Sequence, residues 1–407
     1  MAGPTLHPAW LVLAGVILIR GFCGGGVNMT AGLFLAPVAG HLRVGIGTLS
    51  LYLSIIALAQ LPCMPLAGRL LHRWDVRWAA VLGGALQALP FAALGLLHNV
   101  YGWYLLAIPQ ALGGAITVNL LGPILINRWF ARNVGTLLGI QMACVSLFGA
   151  VLQPYGAGLI AREGWRSAYV VLGTVSFLAT AAAGGLLLRS RPEDLSLSPW
   201  GGAKPGEETP TAPAEGTGVS AAAAVRTPSF CLLVLLMAAI TGAAVFSQHV
   251  ATFGAMLGFS HGETGLALSL GSAGSALGAV VMGLVSDRMG GLRTCYWMIG
   301  IGMLSVLGFL LSARSFFLFA AASALHGLMR SGIVVLFPTL TLEFFGSADY
   351  EVIYSRVALG APLASILLVP AYGYLFDATG SYSAVLLFML ATLILAIPCV
   401  TVAWKKR

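Results

Sequence analysis

Twelve apolar runs occupy most of this chain, and each is about the ~20 residues needed to cross a bilayer as a helix. They fall at roughly 9–38, 47–68, 78–97, 102–126, 135–160, 167–188, 229–256, 263–286, 294–313, 316–341, 353–376 and 382–403. A water-soluble core has no use for so many segments of this length. The 407 residues are 58% hydrophobic and only 8% charged, with a mean hydropathy of +0.93, which excludes a soluble domain. The expected fold class is therefore an all-α membrane protein with twelve transmembrane helices in two six-helix halves.

The formal net charge of +8 suggests a nucleic-acid binder until the charges are located. Most of the 21 Lys and Arg lie in loops on one side of the spans, among them Arg69, Arg73, Arg128, Arg189, Arg288 and Lys405. Only Arg43, Arg162, Arg166 and Arg314 lie on the other side, and Arg20, Arg330 and Arg356 fall within or at the mouth of spans. The positive-inside rule then places both termini in the cytoplasm, in a plasma membrane of the bacterial inner-membrane kind, with no nucleic-acid partner. The first span is too long for a cleaved signal peptide and lacks a basic leading region. Six cysteines stand singly in apolar spans, so neither a metal nor a disulfide framework is expected.

From about residue 189 to 228 hydrophobicity collapses into a segment containing RPEDLSLSPWGG and KPGEETPTAPAEGTG. Such a composition does not bury a core, and it reads as a cytoplasmic linker between halves at 1–188 and 229–407. The halves are related. GRLLHRWDVR at 68–77 pairs with GLVSDRMGGLR at 283–293, PILINRWF at 123–130 with PTLTLEFF at 338–345, and EGWRSAYVVL at 163–172 with TGSYSAVLLF at 379–388. The three pairs share one offset to within a residue. Six spans per half make the repeat parallel, and repeats of this kind place a substrate site at their interface near the midplane.

On these motifs the chain resembles the major facilitator superfamily over essentially its whole length. INRWFARNVGTLLGI, GWRSAY, RPEDLSLSPWG and FSQHVATFGAMLGFS resemble, more narrowly, the branch of monocarboxylate transporters and oxalate:formate exchangers. The resemblance implies a central cavity lined by spans one, four, seven and ten. The strongly polar residues deep in the apolar runs are Arg20 and Asn28 in the first, Asn119 in the fourth, His249 in the seventh, and His326 and Arg330 in the tenth. Gln141 and Gln153 in the fifth are the main additions. Polar groups facing lipid would go uncompensated, so this concentration is expected where a wet path runs.

Arg330 carries the most weight. A guanidinium near the bilayer centre costs at least ~2.5–3.5 kcal/mol, so it normally faces a cavity or a partner. His326 lies one helical turn before it, and an i, i+4 pair shares a face. Neither Arg20 nor Arg330 has an obvious acidic partner: Asp75, Asp287, Glu343, Asp349, Glu351 and Asp377 fall at span ends or in loops. A bound anion would compensate such cations, and Arg grips carboxylates at two points. Arg20, Asn28, Asn119, Gln141, His249, His326 and Arg330 are thus the candidate substrate-binding residues. His249 and His326 titrate near neutrality and are the candidate proton carriers. The glycines of GFCGGGVNMTAG after Arg20 permit either close helix packing or local unwinding. The resemblance further implies a cytoplasmic gate of charge pairs at Arg69, Arg73, Asp75, Asp287 and Arg288. One departure stands out: the branch's span-eight arginine is missing from GSALGAVVMG at 274–283.

The expected function is secondary active transport of a small organic anion, a mono- or dicarboxylate, by alternating access with proton coupling or anion exchange. The protein is expected to work as a monomer without a cofactor or a metal. Export of amphipathic compounds is the alternative transport reading, and a membrane sensor without flux is the alternative from another class. An enzyme is not expected, since no HExxH, GxSxG or paired intramembrane acids occur.

Overall fold

The computed structural model describes residues 7–44, 46–201, 218–259 and 261–406. Among them, eleven helices are long and apolar enough to cross a membrane. One of these, Leu266–Leu311, is broken at Gly290, where φ is 78° and ψ 169°. Each side of the break still has the ~20 residues of a span, so twelve result. We label the first six α1 (Pro8–Phe34), α2 (Ile46–Arg73), α3 (Val76–Leu96), α4 (Val100–Trp129), α5 (134–163) and α6 (165–186). The rest are α7 (Pro228–Ser247), α8 (261–289), α9 (291–311), α10 (Phe316–Phe345), α11 (Tyr350–Val357 and Gly360–Thr379) and α12 (Tyr382–Lys405). This is a multi-pass, all-helical membrane protein. No strand occurs among the described residues, only two isolated bridges.

The helices start and stop where local chemistry directs. Thr227 accepts the Phe230 N–H at 3.2 Å and is followed by Pro228 in the first turn of α7. Asn99 accepts the Gly102 N–H at 3.1 Å at the start of α4. Where one span turns directly into the next, glycine adopts the left-handed conformation that side-chain-bearing residues avoid: Gly164 (φ 82°) between α5 and α6, and Gly290 between α8 and α9.

The chain forms two compact units. The first holds 1–134 and 144–212, the second 135–143 and 213–407. The second thus takes in Gly135–Ala143, the first turns of α5, which hydropathy alone would leave with the first. The reason is close packing within that unit. Gly135 lies against the backbone of Gly283, and Gly139 against the carbonyl of Ala279, both on α8.

In the first unit an aromatic core gathers Phe34, Phe91, Trp103, Trp165 and Tyr169. The Phe34 and Tyr169 rings stack at 3.7 Å. In the second, α8 and α10 meet along a seam of small residues. Gly271, Gly274 and Gly278 face Ser323, Ala324, Gly327, Leu328 and Ser331, and a Cβ on Gly327 would overlap the Gly271 carbonyl oxygen. Close backbone approach of this kind is how helices associate where lipid competes for apolar contact. Within 271–278 only Gly274 and Gly278 are buried, and at both a side chain would meet the backbone of α10.

The linker is docked at both ends of its described part, while 202–217 lies outside the described residues. In the first unit Trp200 exchanges backbone hydrogen bonds with Trp129 (2.8 Å) and Ala131 (3.0 Å), and its ring sits 5.1 Å from Trp10 and 5.9 Å from Phe130. In the second unit the Val219 N–H donates to Phe345 O at 2.9 Å and the Ala221 N–H to the Asp349 carboxylate at 2.7 Å. Phe130 and Phe345 are corresponding positions of the internal repeat, so the same corner of each half holds one end of the linker. The composition suggested a segment without such anchorage.

The seam makes a direct prediction. Gly327→Ala lowers the thermal unfolding midpoint of detergent-purified protein, by overpacking of ~1–3 kcal/mol. An unchanged midpoint would contradict the seam.

Candidate functional site

In the first unit, α1 departs from regular geometry where polar chemistry gathers. After Arg20 the backbone widens into a π-helical stretch, Gly21–Asn28, and α4 does the same over Ala115–Leu120. Stretches of this kind are uncommon and concentrate at functional sites. Of the two roles open to the glycines, close packing is the one seen. Gly25 approaches Gly149 and Phe148 so closely that a Cβ would clash.

Arg20 is buried, at 4% exposure, and is already engaged by groups around it. Asn28 is exposed and accepts from Gln87 Nε2 at 2.9 Å. Gln87, on α3, also donates to the Cys23 carbonyl at 3.3 Å and accepts from the Thr117 hydroxyl. Cys23 in turn lies 3.4 Å from Thr180 Oγ1. Asn119 is half-buried and donates to the Gly114 carbonyl at 3.3 Å. The deep polar groups are thus not confined to spans one, four, five, seven and ten: Gln87 on α3 is the hub of the first unit's network. A single amide in an apolar run was the only sequence signal for it.

In the second unit His326 and Arg330 do not act as one pair. His326 is buried at 3% exposure, and its Nε2 donates to the Ala244 carbonyl of α7 at 3.2 Å, because a carbonyl only accepts. Its Nδ1 has no partner among the described residues. Arg330 is exposed instead and reaches α8, donating to Ser275 Oγ at 3.1 Å. The Ser275 hydroxyl in turn donates a hydrogen bond to the Gly327 carbonyl at 2.9 Å. Four residues of α-helix turn about 40° past a full circle, and a long side chain widens that divergence, so sharing a face does not mean sharing a partner. The Ser275 contact is Arg330's one hydrogen bond among the described residues.

α7 is broken as well. A 3₁₀ turn, Val245–Gln248, precedes His249, which is half-buried with Nδ1 3.2 Å from the Tyr382 hydroxyl of α12. Phe246, Tyr372 and Tyr382 stand around it at ring-contact distances, and Phe253 packs on Phe246. Tyr372 donates to the Gly242 carbonyl at 2.9 Å. Neither tyrosine was evident beforehand, since both sit among ordinary aromatic span residues. Gln141, on the part of α5 grouped with this unit, is completely buried, and neither polar atom of its amide meets a partner among the described residues. Each such unmet group costs ~1–3 kcal/mol unless water or a ligand satisfies it.

The two acidic gate residues accept from backbone N–H groups and hydroxyls among the described residues. Asp75 caps its own helix, accepting from the Arg77 N–H at 2.9 Å, and it accepts from Ser190 at 3.0 Å. Asp287 accepts from the N–H groups of Gly135 (2.6 Å) and Thr136 (2.7 Å) and from the Thr136 hydroxyl (2.5 Å). Asn133, at the N-cap of α5, makes no side-chain cap bond, so Asp287 supplies the anion that the helix N-terminus favours. Arg69, Arg73 and Arg288 are exposed. Arg356 donates to the Ala221 carbonyl at 3.3 Å and so ties α11 to the docked linker.

The chain matches the Major Facilitator Superfamily profile over residues 16–315 and again over 232–407. Monocarboxylate transporter 12 of Xenopus laevis is 20% identical, covering 93% of this chain and 85% of its own. A probable L-galactonate transporter of Escherichia coli is 30% identical over 37% of this chain and 32% of its own. A bacterial homologue of the iron transporter ferroportin, in an outward-facing state with soaked iron, superposes with a TM-score of 0.72 at 16% identity. That superposition covers 99% of this chain and all of the other, and at such identity it speaks for the fold alone. Matched by the family profile from residue 16 to the last residue and built of twelve spans in two related halves, this chain belongs to the major facilitator superfamily.

Proposed function

We propose that this transporter carries a small organic anion, a mono- or dicarboxylate, by alternating access. The observation that supports this most is Arg330: an exposed guanidinium set in an apolar span and hydrogen-bonded to a neutral serine. Its remaining N–H donors suit a carboxylate, which accepts at two points from one guanidinium. Buried Gln141 adds two unmet hydrogen-bonding groups in the same unit, and the first unit, taken by itself, offers the amides of Asn28 and Asn119. The names of two relatives, a monocarboxylate transporter and a probable L-galactonate transporter, both denote carboxylates and agree with this class.

His249 is the proton-linked group in this reading. It is half-buried and faces a tyrosine hydroxyl that can both donate and accept, whereas His326 is held as its Nε2–H form by a backbone carbonyl. His326 is then a positioning residue for α7 against α10. Arg69, Arg73, Asp75, Asp287 and Arg288 form the gate, in which Asp287 releases the N-terminus of α5 as the cytoplasmic side opens. Both termini lie in the cytoplasm of a bacterial inner membrane, and the monomer is the working unit.

Uptake into proteoliposomes tests the assignment. Arg330→Ala lowers carboxylate uptake ~10- to 100-fold while the protein stays folded, as expected for losing hydrogen bonds of ~1.5–3 kcal/mol to a charged group. Unchanged uptake would overturn it. His249→Gln abolishes the response of uptake to an imposed pH gradient and leaves carboxylate counterflow in place. A gradient response that survives would remove His249 from coupling.

A further inference from the structure

The network around Gln87 fixes something that a lone amide does not: which way Asn28 faces. Asn28 closes the π-helical stretch of α1, whose i→i+5 pattern continues in the Met29 N–H to Gly24 O bond of 3.0 Å. In that geometry Cys23 and Asn28, five residues apart, lie one turn from each other and meet the same amide of α3. Gln87 Nε2 is 3.3 Å from the Cys23 carbonyl oxygen and 2.9 Å from Asn28 Oδ1.

The directions follow from donor and acceptor chemistry. A backbone carbonyl only accepts, so the Gln87 atom facing Cys23 is its nitrogen. That turns Oε1 toward Thr117, whose hydroxyl donates to it. The two hydrogens of Gln87 Nε2 then serve Cys23 and Asn28, so Asn28 meets them with its oxygen. Gln87 itself has no freedom to turn. It is 1% exposed, and its backbone passes so near Gly113 of α4 that a Cβ there would come within 2.5 Å of Gln87 N. The part of Asn28 left on the exposed side is its NH2 group.

We infer that Gln87 is a positioning residue that holds the Asn28 amide with both N–H donors outward. The first half of the transporter therefore selects its substrate by an oxygen that can only accept, a carboxylate or carbonyl, and disfavours groups that must donate. Asn28 as a contact residue rests on the function proposed above; its orientation does not.

Two near-isosteric variants separate these claims. Asn28→Asp keeps an acceptor toward Gln87, so the thermal midpoint of detergent-purified protein stays within ~1 °C of the parent. Gln87→Glu sets a carboxylate against the Cys23 carbonyl and Asn28 Oδ1, and lowers the midpoint by at least ~2–4 °C. The reverse pattern, Asn28→Asp destabilised and Gln87→Glu tolerated, would overturn the orientation. In proteoliposomes given radiolabelled pyruvate, succinate and gluconate, the transported acid shows a KM raised at least ~10-fold in Asn28→Asp with its maximal rate retained. Gln87→Glu raises KM likewise, because the Asn28 NH2 turns inward to the new carboxylate. An unchanged KM in both variants would overturn the selection role. Failure of the parent protein to transport any of the three acids would overturn the carboxylate reading, while the melting pattern still decides the amide's orientation.

Discussion

Inside a bilayer no water is at hand to satisfy a peptide group, and that constraint governs where this protein departs from the α-helix. Irregular backbone is tolerated at membrane depth only where protein or a wet cavity supplies partners. Three departures lie beside polar side chains: π-helical stretches in α1 and α4, and a 3₁₀ turn in α7 ahead of His249. Asn28, Asn119 and His249 lie in or directly after these turns. Irregularity and chemistry coincide because each makes the other affordable in free energy.

Between these departures the helices are held by close approach rather than by a large apolar driving force. The α8–α10 seam leaves backbone against backbone at Gly327 and Gly271, and the Ser275 hydroxyl within that seam holds Arg330. The same small-residue packing draws the start of α5 to α8, where Asp287 caps it. A carboxylate held by two backbone N–H groups at an exposed helix end is strong enough to order that end. It is also weak enough to release, since such a cap contributes ~0.5–2 kcal/mol.

The spans and the superfamily were legible because each rests on many residues: long apolar runs, and motifs spread along the chain. The polar site was legible only where a residue is out of place by type. Arg330 and Arg20 announce themselves in an apolar run, but nothing in the sequence says that one is exposed and the other enclosed. Gln87 was not legible, because its partners Cys23 and Asn28 lie about sixty residues away and a lone glutamine has no periodic signature. Tyr382 escaped for the same reason. The linker's anchors at Trp200 and Val219 were masked by a composition that looks unable to pack, although two aromatic contacts and a few backbone bonds suffice.

The proposed function depends on the exposed Arg330 guanidinium. An experimental structure with a transported carboxylate bound tests it most directly. The account predicts carboxylate oxygens at ~2.7–2.9 Å from the Arg330 guanidinium. A bound carboxylate seated elsewhere, with Arg330 turned to lipid headgroups, would contradict it.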